Sequence, residues 1–278
     1  MAFVASALPA RYPVAGVMAS ATTYAESTRH VVDAALAKHS LLVAATSVHG
    51  VTIAARDRAF GDALNAFDII APDGQPIRWA LNIMHDARLE DRVYGPTLME
   101  YVCAAAASAQ LPVYFYGSTT TVLERMCARL QSRFPDLQIS GYHSPPFRPL
   151  TPAEEAADAQ AIVESGAAMV FVGLGCPRQE LWAAGQRSRL NLPILCVGAA
   201  FDFHAGTLRQ APPWMQRRGL EWAFRLGIEP RRLWRRYAQA VPFFMLLFAR
   251  QFLAMRFNWL PDRARELTAT SIDGGTLQ

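Results

Sequence analysis

The feature that most constrains the fold is a regular alternation of short apolar runs with longer stretches of helical pattern. Two of the runs, residues 113–116 and 169–172, are apolar at every position rather than at every second one. Continuous apolar character is typical of strands that are covered on both faces, as in a parallel sheet. Strands are predicted at residues 41–46, 68–71, 112–117, 137–142, 168–173 and 193–199.

Helical patterns fill the intervals between these runs. The start of one is well marked, because Thr151 can cap the helix, Pro152 suits its first turn and Glu154 completes a capping box. Helices are predicted at residues 23–38, 50–59, 76–81, 96–109, 119–134, 152–165 and 179–187. The alternation predicts an α/β fold with a Rossmann-like, mostly parallel sheet and helices on both faces. Residues 1–10 are interpreted as a loose leader, since they lack the basic start of a signal peptide.

The pattern changes after about residue 205, which predicts an α/β domain over residues 1–206 and a helical appendage over residues 207–278. Arginines are dense and acids are few from Arg209 to Arg265, although the whole chain carries a formal charge of only +4. Helices are predicted at 214–227, 230–240 and 241–259, and the apolar part of the last ends at Arg250, which is short for a bilayer span. Such a helix either lies in a membrane interface or packs on the sheet domain with its arginines extended to water. No nucleic-acid motif accompanies the charge, so nucleic-acid binding is not predicted.

Polar turns follow three of the predicted strands. The first contains Asp73 in the sequence Pro-Asp-Gly, which is either a simple turn or a general base at the strand end where open α/β sheets bind ligands. The second holds Gly173, Gly175 and Gln179, where glycines and a helix start indicate a phosphate or nucleotide site. The third places Asp202 between two phenylalanines, either in a pocket wall or as a capping residue.

A hydride-transfer cofactor is poorly supported by the second turn. Arg178 occupies the sixth position of its Gly-x-Gly pattern, and the expected acid about twenty residues later is missing. Four cysteines are present, but none form a Cys-x-x-Cys pair and no cysteine–histidine spacing indicates zinc. No cofactor and no metal ligand is therefore predicted.

Taken together, these segments resemble the WecG/TagA/CpsF glycosyltransferase family. The resemblance covers roughly residues 11–245, and the order and spacing of its blocks are highly specific. The blocks are residues 71–74 (APDG), 92–96 (RVYGP), 172–180 (VGLGCPRQE), 197–203 (VGAAFDF), 209–212 (RQAP), 219–222 (GLEW) and 229–233 (EPRRL).

The resemblance implies an enzyme that adds one sugar from a UDP donor to a polyprenyl-diphosphate-linked saccharide in teichoic acid, enterobacterial common antigen or exopolysaccharide assembly. It implies inversion at the anomeric carbon, no bound metal, and a peripheral location on the cytoplasmic face of the inner membrane. The absence of an Asp-x-Asp motif agrees with a metal-free site. The family's base matches Asp73 and its neighbouring threonine matches Thr46. The family's appendage closes the site and meets the membrane, and its members can form homo-oligomers.

Further roles are predicted from the chemistry of a metal-free sugar transfer. The Gly173–Gly175 loop is expected to offer N–H groups to the departing diphosphate, and three appendage arginines, Arg225, Arg231 and Arg232, are expected to offer charge. Gln179 and Asp202 would orient the uridine or the sugar. Arg92 is either a phosphate ligand or an ion-pair partner that holds the turn at residues 94–96.

One departure from the family pattern affects the predicted donor. Many members carry Thr-x-Asn-Pro-Glu after the first strand, whereas this chain has Thr46-Ser47-Val48-His49-Gly50. Val48 lacks the amide of the usual asparagine, so a glucose-type donor is as well supported as N-acetylmannosamine. A Rossmann-like oxidoreductase and a non-enzymatic membrane-bound scaffold remain as alternatives.

Overall fold

A computed structural model describes residues 7–257 of the chain. The strands are β1 (Arg11–Val14), β2 (Val17–Ser20), β3 (Leu41–Thr46), β4 (Ile69–Pro72), β5 (Val113–Gly117), β6 (Ile139–His143), β7 (Met169–Gly173) and β8 (Pro193–Cys196). The helices are α1 (Tyr24–Leu36), α2 (Val48–Ala54), α3 (Arg58–Asn65), α4 (Gln75–His85), α5 (Gly95–Ser108), α6 (Thr120–Arg133), α7 (Pro152–Glu164), α8 (Arg178–Leu190), α9 (Ala200–Ala205), α10 (Pro213–Arg217), α11 (Glu221–Ile228) and α12 (Pro230–Arg256).

Six of the strands form one parallel sheet in the order β4-β3-β8-β7-β5-β6, which confirms the predicted fold class. Alternate residues of each central strand enter the two cores, as Phe171 enters one and Val170 and Val172 enter the other. Helices α1, α5, α6 and α9 cover the first face, and α3, α4 and α8 cover the second. The continuous apolar runs therefore reflect burial on both sides of the sheet.

An N-terminal hairpin was not predicted from the sequence. Strands β1 and β2 pair antiparallel, and Val14 faces Val17 across a two-residue turn. Ala15 and Gly16 in that turn both have positive φ, 51° and 88°, as tight hairpins require. Of the predicted leader, residues 1–10, residues 1–6 lie outside the described part of the structure.

Several predicted elements have different bounds in the structure. The helix predicted at 214–227 is two helices, α10 and α11, and the helix predicted at 76–81 extends to His85. The helix predicted at 50–59 is two helices, because Asp57 caps α3 by accepting a hydrogen bond from the Phe60 N–H at 3.1 Å. The strand predicted at 193–199 ends at Cys196, and Asp202 lies in helix α9 rather than at a strand end. The break predicted between residues 240 and 241 is wrong, because α12 continues through Pro242.

Helix α12 lies against the sheet domain at several points. Its side chains Leu233, Ala240 and Phe244 are buried. Gln251 accepts a hydrogen bond from the Ala15 N–H and donates one to the Pro13 carbonyl, both at 2.7 Å. From Leu233 to Arg256 the helix is long and apolar enough to cross a membrane by length and composition, with a mean hydropathy of 1.4. The two helices predicted for this segment were short for a bilayer span, whereas the single helix in the structure is long enough by this criterion.

Candidate active site

A cavity of about 730 Å³ lies at the carboxyl ends of β3 and β4. Its inner wall contains Ser47, Val48 and His49 at the start of α2 and Asp73 after β4. Helix α4 forms one side, and helices α11 and α12 form the other. The C-terminal segment thus supplies part of the wall of the cavity that contains the predicted base.

Asp73 is fixed by its main chain and by one side-chain contact. Its N–H donates to the Thr46 carbonyl at 3.1 Å, and its Oδ1 accepts from the Gly95 N–H at 3.4 Å. Burial raises the pKa of Asp73 to about 6, and the Glu221 charge adds to that rise, while Arg92, the Gly95 N–H and Arg225 oppose it. A carboxylate with a pKa near 6 is suited to accept a proton at neutral pH.

Arg92 is buried beside Asp73 and forms an ion pair with Glu221 of α11. The side chains of Arg92 and Glu221 are only 10% and 9% exposed. Arg92 also donates to the Asp73 carbonyl at 3.2 Å and lies over the Tyr94 ring, 4.4 Å from its centroid. Arg92 was predicted to be either a phosphate ligand or an ion-pair partner. Its contacts in the structure are those of an ion-pair partner, and it also lines the cavity.

The appendage arginines are placed differently from one another. Arg225 lines the cavity, and its guanidinium carbon lies 5.6 Å from the centroid of the Phe203 ring. Arg231 is exposed, and it is not one of the described residues that line the cavity. The side chain of Arg232 lies outside the described part of the structure. Arg236, for which no role was predicted, lines the cavity.

His49 lies in the segment where this chain departs from the Thr-x-Asn-Pro-Glu pattern of the family it resembles. Burial lowers the pKa of His49 to about 4, and the nearby charge of Arg236 contributes to that fall. The imidazole is therefore neutral at pH 7. It can donate or accept a hydrogen bond in the cavity, but it adds no positive charge there.

Two predicted glycines lie at the end of β7, outside the cavity wall. A Cβ on Gly173 would approach Cδ2 of the Phe201 ring to 2.6 Å, so this glycine makes room for core packing. Gly175 has a φ of +78°, and a Cβ on it would meet no described atom within 4 Å beyond its chain neighbours. Of the two, only Gly175 leaves open space beside its backbone.

Thr46, Gln179 and Asp202 are also not among the residues that line the cavity, although Thr46 lies next to Ser47 of the wall. Gln179 is 3% exposed and donates to Glu180 Oε1 at 2.9 Å, while its own Oε1 and the Thr46 hydroxyl are buried without a partner among residues 7–257. Asp202 Oδ1 accepts from the Thr207 hydroxyl at 3.0 Å. The residue after Asp202, Phe203, contacts Tyr94 with ring centroids 6.1 Å apart, so α9 packs against a residue of the cavity wall.

The structure brings only part of the predicted site into one cavity. Asp73, Arg92 and Arg225 line it, whereas Gly173 at the end of β7, Gly175 after it, Gln179 in α8 and Asp202 in α9 are not among its lining residues. Within residues 7–257 no three His, Cys, Asp or Glu side chains are grouped as ligands of a metal ion.

Glu221 is the main residue of the site that sequence reasoning missed. Two signals were present: Glu221 is an acid in an arginine-rich segment, and it stands in the family block at residues 219–222. An isolated acid among arginines is often an ion-pair partner, but nothing in the local pattern indicated that its partner was Arg92.

The chain is similar to known proteins along most of its length. A family model described as "Glycosyl transferase WecG/TagA/CpsF family" matches residues 12–258. A protein of Bacillus subtilis (strain 168), named N-acetylglucosaminyldiphosphoundecaprenol N-acetyl-beta-D-mannosaminyltransferase, is 29% identical over 184 residues, which are 66% of this chain and 69% of the relative. A protein of the same name from Bacillus spizizenii is 30% identical over 174 residues, 62% of this chain and 65% of the relative.

Proposed function

The chain belongs to the WecG/TagA/CpsF family of glycosyl transferases, and from that membership we propose that it transfers an N-acetylmannosamine-type sugar from a UDP donor to a polyprenyl-diphosphate-linked saccharide. The names of both relatives support this donor type and a lipid-diphosphate acceptor carrying N-acetylglucosamine. Val48, which replaces the family's usual asparagine, lines the cavity. A glucose-type donor is for that reason kept as the second candidate.

The observation that carries the proposal is the position of Asp73 with a raised pKa at the inner end of the cavity. In the proposed single displacement, the acceptor hydroxyl attacks the anomeric carbon and gives its proton to the Asp73 carboxylate. The bond from that carbon to the diphosphate oxygen breaks on the opposite face, and UDP leaves with the electron pair. The anomeric configuration is inverted.

The cationic side chains of the cavity suit the departing diphosphate. Arg225 and Arg236 line the wall, and oriented cations stabilise charge that develops on a leaving group. Arg92 acts differently in this proposal, because its charge is balanced by Glu221 and it holds the Asp73 main chain. No metal is required in the proposed reaction.

The proposal divides the chain into a catalytic α/β domain over residues 1–206 and a helical appendage over residues 207–278 that contacts the cytoplasmic face of the membrane peripherally. Exposed aromatic side chains of the appendage support this contact, among them Trp214, Trp234 and Phe257. Replacing Trp214 and Trp234 by serine should reduce sedimentation with anionic vesicles. Undiminished sedimentation would place the contact elsewhere.

The reaction is tested by UDP release from UDP-N-acetylmannosamine, UDP-glucose and UDP-N-acetylglucosamine, with and without an N-acetylglucosaminyl-diphosphate lipid. Each reaction is run with and without EDTA. We expect acceptor-dependent release from UDP-N-acetylmannosamine that EDTA does not abolish. Release from UDP-glucose alone would replace the donor assignment, and release from none of the three would refute the proposed reaction.

A further inference from the structure

The cavity changes in chemical character along its length. Its inner end carries the polar groups of His49, Asp73, Arg92, Arg225 and Arg236. Its outer part, between α4 and α12, is lined by large apolar side chains: Trp79, Ile83, Val241, Met245 and Phe248. Nucleotides and sugars need hydrogen-bond partners, and this outer part offers few.

A second cavity lies next to the first. It has a volume of about 420 Å³ and is lined by the apolar side chains Ile83, Met84, Phe252 and Met255 together with Arg256, and Ile83 lines both cavities. Phe248 of the first cavity stacks on Phe252 of the second, with ring centroids 6.1 Å apart. The two cavities adjoin at Ile83, and we refer to the two together as the α4–α12 groove.

One face of α12 lines this groove throughout. Val241, Met245, Phe248, Phe252 and Met255 follow one another at intervals of three or four residues, which places them on one side of a helix. The spacing of 1.5 Å per residue makes the groove roughly 20 Å long on this helix. Leu246 is exposed on the same helix but lines neither cavity.

The groove is held together at both ends. At the inner end, the Arg92–Glu221 ion pair joins α11 to the sheet domain. At the outer end, the Pro13 carbonyl contacts both His85 Nε2, at the end of α4, and Gln251 Nε2 of α12, at 2.9 and 2.7 Å. The apolar lining is thus a formed surface, yet Trp79, Ile83, Val241 and Met245 remain between 45% and 59% exposed in it.

We propose that the α4–α12 groove binds the first isoprene units of the polyprenyl chain of the acceptor. This inference rests on the proposed function, which gives the acceptor a diphosphate head and an apolar tail. The polarity of the groove matches such a molecule when its saccharide and diphosphate lie at Asp73 and the arginines and its tail runs outward between α4 and α12. A UDP-sugar has no apolar part that would occupy the outer groove.

The test compares two water-soluble acceptors, N-acetylglucosaminyl diphosphate carrying a methyl or a farnesyl chain, without membranes or detergent. The quantity measured is the ratio of their kcat/KM values. Burial of several methylene and methyl groups should give the wild type a farnesyl-to-methyl ratio of about 100. Ile83→Ser and Met245→Ser should each lower that ratio about fivefold to tenfold, chiefly through KM for the farnesyl acceptor.

Leu246→Ser is the matched control, because Leu246 and Met245 are 56% and 52% exposed and neighbours on one helix. It should keep the wild-type ratio. An equal loss in Leu246→Ser, or a wild-type ratio near 1, would overturn the inference.

Direct binding separates this inference from the proposed reaction. If the wild type transferred sugar to neither acceptor, the proposed function would fail. Titration with farnesyl diphosphate, followed by tryptophan fluorescence, would still decide the groove. Binding weakened about fivefold or more by Ile83→Ser and Met245→Ser, but retained in Leu246→Ser, would support it, and equal binding by all four proteins would refute it.

Discussion

Replacing Asp73 by asparagine should slow the enzyme and stabilise the protein at the same time. Burial holds the pKa of Asp73 at about 6, against an ordinary value of 3.8. One pKa unit corresponds to about 1.4 kcal/mol, so the ionised side chain destabilises the folded state by about 3 kcal/mol at neutral pH. Asparagine carries no charge and its carbonyl oxygen can still accept the hydrogen bond from Gly95.

The sign of the pH dependence follows from the same pair of values. Well below pH 3.8 the carboxyl is protonated in both states, and it favours neither the folded nor the unfolded state. As the pH rises through 3.8 towards about 6, the unfolded chain loses the proton while the folded protein largely keeps it, so the free energy of unfolding falls. The stability gain of Asp73→Asn should therefore be below about 1 kcal/mol at pH 4 and reach about 2–3 kcal/mol above pH 6.

The assay is urea unfolding of both proteins at several pH values from 4 to 8, together with UDP release. Loss of a general base typically slows a reaction by about 10²–10⁴-fold. Asp62→Asn serves as a control, because Asp62 forms only an exposed pair with Arg58 and should change stability by less than about 0.5 kcal/mol. An Asp73→Asn variant that is no more stable at pH 7.5, or whose gain persists at pH 4, would refute the argument from burial.

Three further predictions concern the same region. The kcat/KM of the wild type should fall below an apparent pKa of about 6 as Asp73 is protonated, and an acid limb near pH 4 would contradict the raised pKa. Gly173→Ala should lower the free energy of unfolding by about 1–3 kcal/mol, because the added methyl group meets the Phe201 ring. Gly175→Ala meets only backbone strain and should lower it by about 1 kcal/mol. Chemical denaturation compares the two variants, and equal losses would contradict the packing role of Gly173. Glu221→Gln removes the ion-pair partner of the buried Arg92 and should cost about 3–5 kcal/mol by the same measurement, whereas a loss below about 1 kcal/mol would mean that the pair is solvated or that Asp73 compensates for it.

The parallel sheet could be predicted because its signal is local. Burial on both faces leaves runs such as residues 169–172 apolar at every position, and each run carries that pattern within itself. The hairpin of β1 and β2 escaped prediction because Pro13 is unusual within a strand and the turn residues are Ala15-Gly16 rather than Asn-Gly. The continuity of α12 escaped it because a proline such as Pro242 commonly ends a helix.

The candidate site was predictable only in part, for a related reason. Asp73 and Arg92 stand in recognisable sequence blocks, and the structure brings them to one cavity. The partner of Arg92 is 129 positions away, so no local pattern links the two side chains. Gly173 stands in a glycine-rich loop that predicts ligand binding, and the structure adds a packing constraint that the local pattern did not indicate, the Phe201 ring beside its Cα.

The Arg92–Glu221 pair makes the basicity of Asp73 depend on the docking of α11. Glu221 raises the pKa of Asp73 and Arg92 lowers it, so the two charges partly offset each other at the carboxylate. Without the Glu221 charge, Arg92 would act on Asp73 alone and draw its pKa down, which makes Asp73 a weaker base. In Glu221→Gln, the acid limb of kcat/KM should accordingly move to a pH lower than in the wild type, measured under conditions in which the variant is folded. A shift to higher pH would show that the appendage affects Asp73 by some route other than this charge.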